Sequence, residues 1–124
     1  MKSLRPVLIC VVGALAATVT ATEAKADTVQ ELYMKCKATN PATGMYCVGY
    51  VGGVSDAMVM IAELPVVGGQ REAFATCAKT GLSRGAVVQA FVNWAEKHPE
   101  HWADLDFMGV TAALSEIWPC GPSK

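Results

Sequence analysis

Two histidines, four cysteines beyond the first apolar stretch and three tryptophans are the residues through which this chain could do chemistry or recognition. His98 and His101 lie three apart in His98-Pro99-Glu100-His101. A zinc-protease helix needs its histidines four apart with a glutamate after the first, and a proline between them breaks the helix that would align them. The cluster reads as a solvated turn between helices, with an adventitious metal or pH-sensitive site as the sharper alternative, and no metal is expected. Cys36, Cys47, Cys77 and Cys120 form neither C-x-x-C nor C-x-x-C-H, which removes thiol exchange and haem attachment. No serine sits in a G-x-S-x-G elbow. Gly49-Tyr50-Val51-Gly52-Gly53 lacks the G-x-G-x-x-G register and follows no predicted strand, so dinucleotide binding is out. The expectation is a protein with no catalytic residue and no cofactor.

Whether those cysteines pair depends on where the chain goes. Lys2 and Arg5 precede an apolar run from Val7 to Ala17, and Ala24-Lys25-Ala26 supplies the small residues that a signal peptidase requires. The run is too short for the ~20 apolar residues of a membrane span. Residues 1–26 are therefore expected to be a signal peptide cleaved after Ala26, with no stable membrane insertion, leaving 27–124 as one domain in the periplasm. Cys10 lies inside the apolar run and leaves with it. Beyond Ala26, seven Lys or Arg against ten Asp or Glu give a formal charge of −3, where the full 124 residues carry −1. Neither value suits a surface that must displace counterions from nucleic acid. An even set of four cysteines in an exported small domain reads as two disulfides, for which three pairings exist.

The elements that position these residues follow from periodicity. Val29, Leu32, Tyr33 and Cys36 mark one face of a first helix, with Thr28 as its cap and Glu31 as capping-box partner. Asn40 to Gly44 has turn composition. A second helix is expected from about Met45 or Cys47 to Glu63. Within it Gly49, Gly53 and Ala57 recur every fourth residue, a ridge of little side-chain height that another backbone can approach closely. Each interior glycine costs about 1 kcal/mol relative to alanine, so packing, within the monomer or across a dimer, has to offset it. A strand over Val48 to Val54 is the competing reading, but no β-partner is apparent elsewhere. Ser55-Asp56 reads as the wet face of this helix or a local cap, and Gly68-Gly69 as a bend beyond it.

Ser83 caps a third helix to Lys97, with Val87, Val88, Phe91, Val92 and Ala95 at core spacing, and His98-Pro99 stops it. A fourth carries Phe107, Val110, Ala113, Leu114 and Ile117 and ends at Trp118-Pro119. The prediction is an all-α, compact four-helix domain. Antiparallel neighbours would bring Cys36 to Cys47, and Cys77 ahead of the third helix to Cys120 after the fourth, which favours those two disulfides. Of the tryptophans, Trp118 closes an apolar face, while Trp102 beside the histidine turn divides between core and partner contact.

Three stretches resemble a known family. Cys47-Val48-Gly49-Tyr50-Val51-Gly52-Gly53-Val54-Ser55-Asp56-Ala57 is similar to its C-x-G-Y-x-x-G-x-x-D-A helix, Gly81 to Pro99 to its third helix, and Ala112 to Cys120 to its closing A-A-L-x-x-x-x-P-C. The family is Rap/Tai, immunity proteins of type VI secretion that neutralise cell-wall amidases. The resemblance spans about Leu32 to Cys120 and departs from the pattern at Cys77-Ala78-Lys79, where a C-x-P is frequent, and at Arg84-Gly85-Ala86. It implies a periplasmic, helical, disulfide-bonded protein, commonly a homodimer, that blocks the active-site cleft of a cell-wall amidase and catalyses nothing. On that reading His98, Pro99, Glu100, His101 and Trp102 form the turn that meets the partner. The alternatives are a periplasmic stress protein or chaperone, which would bind many clients, and an accessory envelope protein, which would bind neither clients nor a toxin.

Overall fold

The structure is a computed structural model and describes residues 25–63, 75–77 and 82–120. The apolar leader up to residue 24 and the Gly68-Gly69 bend lie outside the described residues. Among the described residues there are four α-helices, α1 Val29–Lys37, α2 Pro41–Glu63, α3 Arg84–Lys97 and α4 Asp106–Ile117, with one 3-10 turn, Pro99–His101, after α3. The only β pairing among the described residues is an isolated antiparallel bridge between Thr28 and Leu105. The all-α reading holds.

Local chemistry starts each helix. The Thr28 hydroxyl oxygen accepts the Glu31 N–H at 3.2 Å, and the Glu31 carboxylate accepts the Thr28 N–H at 2.8 Å, which is the capping box the sequence predicts. Ser83 caps α3 by accepting the Ala86 N–H at 3.2 Å. The second helix departs from expectation: it begins at Pro41, several residues before Met45. Asn40 accepts the N–H groups of Ala42 and Thr43 at 2.9 and 3.2 Å, and Pro41 sits where a helix needs no N–H. The composition that read as a turn is a helix cap.

Each helix packs on the other three. Phe91, Leu32, Met58 and Leu114 are the largest fully buried side chains, one from each helix. By length and composition α2 could cross a membrane, but its buried residues Cys47, Val51, Ser55 and Met58 face the other helices of this domain. Two assignments change. Phe107 and Ile117, expected in the core stripe of the last helix, are 39% and 41% exposed, and Ser55, expected on a wet face, is buried. Gly109, which carried no expectation, is buried instead and lets α4 close on α1, because a Cβ there would run into the side chain of fully buried Val29.

The disulfides are Cys36–Cys47 and Cys77–Cys120. The first joins the end of α1 to α2. The second fastens residues 75–77 to the end of α4, where the Thr76 hydroxyl donates to Leu114 O at 3.1 Å and the Cys77 N–H to Trp118 O at 3.0 Å. Those donors satisfy carbonyls that the end of a helix leaves open. Gly109→Ala should cost about 1–3 kcal/mol, the range for overpacking a core that cannot yield, and Thr28→Ala about 1 kcal/mol for the lost cap. Urea denaturation of the oxidised protein checks both, and a Gly109→Ala midpoint equal to that of the parent would show that α1 and α4 do not meet there.

Candidate functional site

The turn after α3 is built from its backbone outward. His98 ends α3, its N–H donating to Trp94 O at 3.1 Å, and Pro99 opens the 3-10 turn. The N–H groups of His101, Trp102 and Asp104 then donate back to His98 O, Pro99 O and His101 O at 3.0 to 3.2 Å. What holds this loop to the domain is the start of α1. The Val29 N–H donates to Asp104 O at 2.9 Å and the Gln30 N–H to Trp102 O at 3.1 Å, so the helix's first open donors are satisfied by the turn's carbonyls.

Side chains add to that attachment. Trp102 is half-buried, stacks on Tyr33 with ring centres 5.8 Å apart, and donates its indole N–H to Ala95 O at 2.8 Å. It packs the turn onto α1 and α3. Pro99, Glu100 and His101 face solvent. His98 and His101 both stack on Trp94, at 4.7 and 5.5 Å, and lie 6.1 Å from each other. The Trp94 indole donates to Glu116 of α4 at 2.9 Å. His98 Nδ1 lies 3.0 Å from Glu100, and His101 Nδ1 2.7 Å from Asp104. The Glu100 carboxyl is held below the usual range by its own backbone N–H and then by His98. The five residues expected to meet a partner thus form one continuous turn, with Trp102 at its root and Glu100 at its crest. Among the described residues no group of three His, Cys, Asp or Glu is placed to hold a metal ion.

Beyond Trp102, Tyr33 and Lys37 of α1 share Glu96 of α3, at 2.9 and 3.0 Å. Lys37, then Tyr33, holds the Glu96 carboxyl below its ordinary value. A second cluster, invisible in the sequence, surrounds Asp27. Its carboxylate pairs with Lys35 and accepts the Tyr46 hydroxyl at 3.1 Å, while its carbonyl accepts the Asp106 N–H at 3.0 Å. The Lys35 ammonium lies 4.5 Å from the centre of the Tyr46 ring. Lys35 is the main reason the Asp27 carboxyl is held low, and burial, then a hydrogen bond to Asp106, pushes the Tyr50 hydroxyl up. Spacing gave no hint of this group, because Asp27 and Asp106 meet only through the tertiary fold.

The glycine ridge lies elsewhere. Gly49, Gly53 and Ala57 are exposed, and a Cβ at Gly49 or Gly53 would meet nothing within 4 Å. The ridge therefore contacts no other helix of the described monomer. Beside it, Met45, Tyr46 and Met60 are 69%, 45% and 59% exposed. The glycine of α2 that does meet a neighbour is Gly52, which lies under Arg84, and Arg84 pairs with Asp56 at 2.7 Å.

The sequence pattern that defines the Rap1a immunity proteins matches residues 28–120. The chain belongs to the Rap1a immunity protein family. No curated protein and no solved structure matches it. In this Rap1a family member the matched span opens on the capping threonine of α1 and closes on the last disulfide cysteine, so all four helices, both disulfides and the 98–102 turn fall inside it.

The depressed carboxyls set an acid limit. Asp27, Glu31, Glu96 and Glu100 all bind a proton less readily in the fold than at their ordinary values of 3.8 and 4.5. Their stabilisation is complete above those values and is lost as pH falls through the lower, folded ones. The contribution of these carboxyls to the urea midpoint should be level from neutral pH to about pH 5 and be lost below about pH 4. In Asp27→Asn the midpoint should start lower and fall less steeply, and a parallel fall in both proteins would remove Asp27 from the account.

Proposed function

We propose that this protein is an exported immunity protein of type VI secretion that occupies the active-site cleft of a peptidoglycan amidase and performs no chemistry of its own. Family membership over residues 28–120 carries the reading. The turn gives it a physical form: a solvent-exposed Pro99-Glu100-His101 crest whose root is fixed by two backbone hydrogen bonds to α1 and by the Trp102 indole. A loop that is already ordered loses little freedom on docking, so more of its contact energy appears as affinity. Cleft occupation then excludes substrate by shape.

Export fits the same account. Two disulfides persist only in an oxidising compartment. Asp27 is held by its side chain and its carbonyl, whereas Lys25 and Ala26 are exposed, so cleavage after Ala26 would spare every Asp27 contact named above. The periplasm is both where such cleavage occurs and where a cell-wall amidase would have to be met. We also assign the exposed Gly49, Gly53 and Ala57 face of α2 to a second copy of the chain: interior glycines cost helix stability, and close approach of a partner helix between Met45 and Met60 would offset it.

Digestion of purified peptidoglycan by the amidase, with and without the protein beginning at Asp27, tests the central reading. The parent should inhibit. Glu100→Ala, a change on an exposed side chain, and Trp102→Ala, which frees the root of the turn, should each weaken inhibition by about tenfold or more, the scale of an interface hot spot. Full inhibition by both variants would move the contact elsewhere on the domain, and no inhibition by the parent would reject the amidase reading. Sedimentation of Gly53→Leu should give a monomer where the parent gives a dimer.

A further inference from the structure

His98 faces carboxylates on two separate elements. Its Nδ1 lies 3.0 Å from Glu100 Oε1 in the turn, and its Nε2 lies 3.9 Å from Glu116 Oε2 on α4. An ionised carboxylate only accepts hydrogen bonds, and a neutral imidazole carries one N–H and one lone pair. With the Nδ1–H given to Glu100, the neutral ring turns its lone pair on Nε2 toward an oxygen that also has no proton to give. That contact joins nothing. A proton on Nε2 changes its sign, because the imidazolium donates from both nitrogens.

The groups around the ring are themselves fixed in place. Glu116 is fixed by the Trp94 indole N–H at 2.9 Å, and the His98 ring stacks on the same indole at 4.7 Å, a face that attracts a cation. The charged and titratable groups about the ring are Glu100 in the turn, Glu116 on α4, Lys97 preceding it on α3, and His101 with its own partner Asp104. Three carboxylates therefore face two imidazoles. On the Tyr33 side of the turn, Lys37 of α1 and Glu96 of α3 are paired with each other.

We propose that His98 is a proton-operated clamp: a proton on Nε2 joins the 98–104 turn to α4 through Glu116, so the turn is held more firmly in mildly acidic surroundings than in neutral ones. The clamp is a property of the free protein. Its use in controlling partner binding rests on the function proposed above. Imidazole gains its proton within the range of roughly pH 5 to 8, so the clamp would work where the carboxyls of the domain stay ionised.

Long-range proton–nitrogen NMR of the histidine rings in the chain beginning at Asp27, with no partner present, tests it. At about pH 8 His98 should carry its proton on Nδ1, and toward about pH 5 Nε2 should gain one while the Trp94 indole N–H resonance moves in step. Amide exchange of His101, Trp102 and Asp104, corrected for its intrinsic pH dependence, should slow about two- to fivefold across that change, the worth of one exposed ion pair. Glu116→Gln can donate an amide N–H to neutral Nε2 and still accept from Trp94, so protection should become independent of pH. His101→Gln should leave the step intact. An Nε2–H tautomer at the higher pH, equal protection at both, or an unchanged step in Glu116→Gln would overturn the clamp. Inhibition of an amidase is not read in this experiment, so failure of the functional reading and failure of the clamp are separate results.

Discussion

The start of α1 is where the molecule is tied together. A helix leaves its first N–H groups without partners inside the helix, and here the donors of Val29, Gln30 and Glu31 go to Asp104 O, Trp102 O and the Thr28 hydroxyl. The first two acceptors lie more than seventy residues away in sequence. Satisfying the end of one helix thus fixes the loop between two others, the loop proposed above to meet a partner. The neighbouring contacts follow the same logic: the Asp106 N–H donates to Asp27 O, and Gly109 lets α4 lie against Val29. Any change that frees the first turn of α1 should loosen the far side of the domain.

A rigid crest and a bare helix face are separate surfaces with separate physics. The crest is polar and charged, and its order comes from hydrogen bonds behind it. The α2 face has Met45 and Met60 at either end and exposed glycines between them, with the exposed Asp56–Arg84 pair beside them. Exposed glycine in a helix lowers stability without improving solubility, so its placement on an open face is the feature of the monomer that its own packing does not explain. The two surfaces lie on different elements.

What the sequence made legible was local. The capping box at Thr28 and Glu31, the Ser83 cap and the two cysteine pairings were readable because a helix end is decided by residues within a turn of it, and because short links make helices antiparallel. The family was readable from the glycine and cysteine spacing around Cys47. The errors were local as well. Asn40 and Pro41 serve equally in a turn or at a helix start, and composition alone does not say which. Phe107 and Ile117 lie at the margins of the α4 stripe, where periodicity assigns a face but not how far the neighbouring helices reach. The geometry of the candidate site was not legible: the carbonyls of Trp102 and Asp104, the stack of Trp102 on Tyr33 and the approach of His98 to Glu116 all join distant parts of the chain. Trp102 is the instructive case, since its indole holds the turn onto α3 and its ring stacks on Tyr33.

The central claim is that the first turn of α1 and the 98–104 turn form one unit. Native-state hydrogen exchange at the Val29 and Gln30 amides measures it most directly, since without the loop's carbonyls these N–H groups would be open helix-end donors. The account predicts that both exchange only when the whole domain unfolds, with the same free energy as the Leu32 and Phe91 amides in the core. Exchange at the rate of a frayed helix terminus would contradict it.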